Sequence, residues 1–187
     1  MNFTETELKG AYVIEPVAAT DERGFFARTF CAKEFAQYGL AAQLAQCSTS
    51  FNTRQGTLRG LHYQASPHAE EKLVRVTSGA VFDVIVDLRE DSPTRGRWFG
   101  LVLSAENRRM LYIPKGFAHG FQTLQDNSEV FYQISAFYEP ASVRGIAWND
   151  PNLAITWPDV DNAIVSARDQ ALPLYTAAMR AWGKVPA

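Results

Sequence analysis

Three observations predict that this chain folds as an all-β domain, an antiparallel barrel or sandwich. From Leu44 to Phe137, short segments rich in β-branched and aromatic residues follow one another at close spacing. Clusters of Ser, Gly, Asp, Asn and Pro separate them, as turns require. No segment of helical periodicity long enough to carry a crossover intervenes, so neighbouring strands pair antiparallel.

Residues 7–17, ELKGAYVIEPV, read as a strand punctuated by Gly10 and Pro16. Thr20 to Gly24 has turn composition, and FFARTF at 25–30 reads as a short aromatic strand. AKEFAQYG at 32–39 suits a short helix closed by Gly39. Further strands are expected at 73–76, 80–89, 98–104, 109–114, 120–124 and 129–138, and His62 is expected on a strand. The segment 148–159, WNDPNLAITWPD, reads as an ordered loop that packs its tryptophans. Residues 166–182 are expected to be helical at both ends and interrupted at Pro173.

A chain of 187 residues suits one domain, 1–187, with a C-terminal loop and helix extension from about 148. Hydrophobic residues make up 47% and charged residues 20%, a globular balance. The net charge of −2 gives no global field that would attract nucleic acid or membrane. No apolar run approaches the ~20 residues of a membrane span. The opening MNFTETELKGAYVIEP lacks a basic stretch followed by an apolar core, so no signal peptide is expected. Cys31 and Cys47 form no metal spacing or disulfide framework, and a reducing cytoplasm is the expected compartment.

The stretch Gly56 to Val76, GTLRGLHYQASPHAEEKLVRV, carries a guanidinium (Arg59), an imidazole (His62) and an ammonium (Lys72). Strict alternation puts Arg59 and His62 on opposite faces of a strand. A bulge at Gly60 would turn both to one side, and bulges favour active sites. Lys72 reads either as an edge-strand lysine that blocks aggregation or as a cation facing a developing oxyanion. His119, in YIPKGFAHGF, reads either as a turn histidine or as a ligand contact, since flanking glycines allow close backbone approach. Tyr132 and Tyr138 share parity, so a regular strand shows both on one face. Each is either an ordinary strand tyrosine or, near a pocket, a proton donor. Asp169, in Ser166-Ala167-Arg168-Asp169, fits a capping box at a helix start; the rival reading orients the His62 ring.

Metal and cofactor chemistry are not expected. The only histidines are His62, His68 and His119, and Gln64 stands where a metal-binding barrel of this kind needs a second histidine. There is no G-x-G-x-x-G and no P-loop.

The segments RGLHYQ (59–64), EKLVRVTSGAVFDVIVDLREDSPTRGRW (71–98), YIPKGFAHGF (112–121), Y-x5-Y-x-P (132–140) and IAWNDPNLAITWP (146–158) closely resemble the dTDP-4-dehydrorhamnose 3,5-epimerase family. The resemblance runs over about residues 3–175. It implies an all-β cupin jelly roll (a double-stranded β-helix) with short peripheral helices, free of metal, and a homodimer that exchanges N-terminal strands. It implies a nucleotide-linked 4-keto-6-deoxyhexose as substrate. By motif position His62 resembles the family's general base, Tyr132 its general acid and Asp169 the partner of His62. Arg59, Lys72 and His119 resemble sugar and phosphate contacts, with Lys72 near the C4 carbonyl. Arg23 matches a nucleotide-binding arginine, and Arg168 stands in place of a lysine. Tyr138 joins the substrate contacts. The sequence departs from the family at Arg28 and Val143, each usually glutamate, and at Cys47-Ser48-Thr49, usually Gln-x-Asn. These positions belong to nucleotide recognition, which leaves another carrier open.

That chemistry needs these residue types. A C–H beside a ketone is a weak acid, and imidazole is the side chain suited to remove its proton near neutral pH. A carboxylate on the other ring nitrogen fixes the tautomer, and a fixed cation offsets the enolate. Inversion then needs a donor on the opposite ring face. A 3-epimerase, a 3,4-ketoisomerase, a non-catalytic sugar-nucleotide-binding cupin and a metal-dependent oxygenase are the rival readings.

Overall fold

The computed structural model describes residues 1–176 and 178. The strands are β1 (Asn2–Glu5), β2 (Tyr12–Glu15), β3 (Ala18–Asp21), β4 (Gly24–Ala27), β5 (Gln46–Asn52), β6 (Thr57–Gln64), β7 (Lys72–Ser78) and β8 (Ala80–Asp87). They continue as β9 (Trp98–Ser104), β10 (Met110–Ile113), β11 (Phe117–Thr123), β12 (Ser128–Ile134), β13 (Val143–Gly145) and β14 (Ile164–Val165). Two short helices, α1 (Ala32–Gln37) and α2 (Ala167–Gln170), lie at the periphery.

Two sheets form a jelly roll. One runs β1-β2-β10-β7-β12-β5, the other β13-β6-β11-β8-β9 with β14 parallel to β6. The inward residues alternate as a two-period pattern requires. Val74, Val76, Leu111, Ile113 and Val130 from the first sheet meet Val81, Ile85, Leu103, Phe117 and Phe121 from the second in one buried cluster. The outer face of the second sheet is covered by the tail, where Leu153 and Trp157 pack on Leu58, Leu61, Val84 and Val86. Trp157 Nε1 donates to the Trp148 carbonyl at 2.8 Å, so the loop is ordered by its tryptophans as expected. Helix α1 covers the first sheet, with Phe35 fully buried against Ile14, Leu73 and Met110.

Several boundaries differ from expectation. Residues 7–17 are a turn followed by β2, because Thr6 N–H closes onto Ala11 O at 2.8 Å. Polar β1 and β3 carry no apolar alternation and were not expected as strands. β3 and β4 form an exposed hairpin outside both sheets. Lys72 begins β7, which is flanked by β10 and β12, so it is not on a sheet edge. β12 ends at Ile134, so the shared parity of Tyr132 and Tyr138 carries no structural meaning. The far end of the expected 166–182 helix lies outside the described residues.

Candidate active site

The site is built where β6 breaks its alternation. In the β6–β11 ladder His119 pairs with His62 and Phe121 with Arg59, so three residue steps on β6 oppose two on β11. That is a bulge, and it sets Arg59 and His62 on the same inward side. Gly60 makes it possible. Its φ is +115°, and a Cβ there would lie 2.7 Å from both Gly120 Cα and the His119 carbonyl oxygen.

His62 Nε2 lies 2.7 Å from Asp169 Oδ1, and the second carboxylate oxygen accepts from Gly60 N–H at 3.1 Å. Asp169 is buried at the start of α2, where Ser166 Oγ accepts its backbone N–H at 3.1 Å. The helix-start reading and the ring-orienting reading therefore both hold: the backbone is capped while the carboxylate turns to the imidazole. Burial pushes the Asp169 carboxyl up. The His62 hydrogen bond and charge, the Gly60 N–H and Arg168 together hold it below the usual carboxylate range.

Across the barrel, Tyr132, Ile134, Lys72, Ser48 and Ser50 come from the first sheet and face the same cavity as His62. The cavity holds about 360 Å³. Burial raises the Tyr132 phenol far above its ordinary value; the charge of Asp83 adds to this and Arg59 opposes it. The phenol therefore stays protonated and can donate. Lys72 Nζ is 2.7 Å from Glu70 Oε1, and an ammonium so held keeps donors free for a ligand. Arg59 Nε donates to buried Asn52 Oδ1 at 2.7 Å, which fixes the guanidinium at the cavity wall. His119 is buried within β11, not in a turn, and Asp83 holds its Nε2 at 2.9 and 3.0 Å.

A smaller chamber of about 160 Å³ adjoins the cavity, shares His62 and Arg168 with it, and is lined further by Tyr138, Gln64, Glu70 and Val143. Thr49 is not in either wall. Tyr132 pairs with Ser48, and directly opposed residues share a face, so Ser48 and Ser50 point inward and Thr49 outward. Arg23 and Arg28 also lie outside the cavity of this chain. Arg23 pairs with Asp21 at 2.5 Å on the hairpin, and Arg28 pairs with Glu34 at 3.0 Å. Asp83, Glu70, Asn52, Ser48 and Ser50 are site residues that the sequence reading did not select. Among the described residues, no group of three or more His, Cys, Asp or Glu side chains is arranged to hold a metal ion.

A jelly roll that opposes an imidazole–carboxylate pair to a phenol across one cavity defines a class, the acid–base enzymes of cupin fold. A family profile described as dTDP-4-dehydrorhamnose 3,5-epimerase matches residues 5–177. The dTDP-4-dehydrorhamnose 3,5-epimerase of Shigella flexneri is 47% identical over 170 residues, 90% of this chain and 93% of that protein. The rmlC epimerase of Mycobacterium tuberculosis superposes with a TM-score of 0.93 at 41% identity, covering 100% of this chain and 94% of that one. The dTDP-6-deoxy-D-glucose-3,5-epimerase of Legionella pneumophila, solved with dTDP-4-keto-L-rhamnose, gives a TM-score of 0.87 at 43% identity and covers 92% of each chain. This chain belongs to the dTDP-4-dehydrorhamnose 3,5-epimerase family and is an isomerase-class enzyme.

Proposed function

We propose that this enzyme inverts C3 and C5 of a dTDP-linked 4-keto-6-deoxyhexose. The observation that carries the reading is the placement of His62 and Tyr132 on facing sheets of one cavity. His62 removes the proton beside the ketone, with Asp169 holding the ring and stabilising the imidazolium. Lys72 faces the C4 oxygen and offsets the enolate charge. Tyr132 returns a proton from the other ring face, which inverts the carbon. Arg59 and His119 hold the sugar and phosphates, while Tyr138 and Arg168 hold the carrier in the adjoining chamber.

The partner arrangement we propose is a homodimer with exchanged N-terminal strands. The β3–β4 hairpin supports it: Phe26 is 79% exposed, Val17 just before the hairpin is 60% exposed, and Arg23 sits on the hairpin tip, away from its own chain's cavity. Exchange would deliver that hairpin to the neighbouring site. The tail from about 148 packs on the second sheet, which supports one functional unit. Cys31 and Cys47 are free thiols, which suits action in the cytoplasm. No described helix is long and apolar enough to cross a membrane.

Incubation in D2O with 4-keto-6-deoxyhexoses on thymidine, uridine, cytidine and guanosine diphosphates tests the reading. Label and inversion at both C3 and C5 of the thymidine sugar is the expected result. Label at C3 alone makes the protein a 3-epimerase, and a moved carbonyl makes it a ketoisomerase. Preference for another base overturns the carrier.

A further inference from the structure

Two histidines of the cavity wall are each paired with a carboxylate, and the reaction above uses one of these pairs as acid–base machinery. In the second, His119 is 5% exposed and Asp83 not at all. Asp83 points inward from β8 among Val81, Ile85 and Phe121, an apolar setting where a carboxylate is costly to keep. Asp83 occupies Nε2, which leaves Nδ1 as the ring nitrogen available to another partner. The His119 ring stands edge-on to Tyr132, with centroids 6.0 Å apart and planes at 76°.

Following the protons shows a need for this pair. Each inversion breaks a C–H bond toward His62 and forms a new one from the Tyr132 O–H. It leaves an imidazolium on one wall and a phenolate on the other. Neither group can act again until both are reset. We propose that the Asp83–His119 pair reprotonates Tyr132 after each inversion, an inference that rests on the epimerase reading. The Nδ1–H bond of the His119 imidazolium breaks as the phenol O–H forms. His119 then regains a proton from water, to which His62 releases the one it took. No proton is gained or lost over the cycle, and no atom changes oxidation state. Asp83 touches no substrate; it is a positioning residue that fixes the His119 tautomer and stabilises its imidazolium. Burial and the nearby charge of Asp83 strengthen the hold of Tyr132 on a proton, although Arg59 opposes them, and this drives transfer in the needed direction.

The first inversion after mixing needs no reset, and every later one does. Rapid-quench counting of inverted centres per active site separates the two. At saturating substrate, Asp83→Asn should give a first phase of about one inversion per site that is slowed far less than the later inversions, which should fall by about 100-fold, the scale of a lost acid–base group. His119→Ala should recover its later phase in proportion to added imidazolium. Later inversions in Asp83→Asn that keep pace with wild type, or a first inversion slowed as much as the rest, overturn the proposal. Should Asp83→Asn fail to fold, absence of imidazole rescue in His119→Ala overturns it alone. Wild-type protein that inverts no centre sinks the epimerase reading instead, which is a separate outcome.

Discussion

At Asp169 two influences compete. Burial favours the neutral acid, while the His62 hydrogen bond and charge, the Gly60 N–H and Arg168 favour the anion and prevail. A carboxyl whose folded pKa is depressed stabilises the fold above its unfolded pKa of about 4, and that stability is lost as pH falls through the folded value. The stability gap between wild type and Asp169→Asn, measured by urea unfolding, should therefore be largest above about pH 5 and shrink below about pH 4. A gap that stays level on acidification would show that the pair does not stabilise the anion. His62→Ala should abolish wash-out of the C3 and C5 protons, a loss of roughly 10²–10⁴-fold or more, with the fold retained. Tyr132→Phe should impair inversion more than proton exchange, and equal loss of both would contradict the division of roles. These two side chains were legible in the sequence through their flanking motifs. Asp83 was not, because VFDVIVD reads as one apolar strand and the carboxylate's destination depends on pairing with β11.

The β6 bulge is the element on which the base depends. Gly60 and Gly120 abut across the ladder, and a Cβ at residue 60 meets backbone at 2.7 Å. Gly60→Ala should destabilise the protein by about 2–4 kcal/mol, the range for strain at a special backbone position combined with a core clash. Turnover should fall further than the folded fraction does, because Arg59 and His62 lose their common face. An unchanged melting temperature would show that the ladder accommodates the methyl group. The sequence pointed to this bulge, since only an extra residue reconciles inward Arg59 with inward His62. It misplaced Thr49 for the converse reason: a one-residue offset in β5 exchanges the two faces of the strand. Strands rich in Val, Ile and Phe were readable from composition. Polar β1 and β3 owe their pairing to neighbours rather than to pattern.

At the scale of the whole molecule, the exposed hairpin predicts assembly. Phe26→Asp should shift the protein from dimer toward monomer in light scattering and lower activity, because the apolar surface there is too exposed for a lone subunit. A wild-type monomer with full turnover would remove strand exchange from the picture. The two walls of the cavity belong to different sheets, joined by the packed layer that includes Val74, Ile85 and Phe121. Handedness of the product is thus guarded by hydrocarbon packing together with the Arg59–Asn52 hydrogen bond that ties β6 to β5. Loosening that layer, as in Ile85→Ala, should show itself first as scrambled stereochemistry, with hydrogen traded for deuterium while the sugar keeps its original configuration.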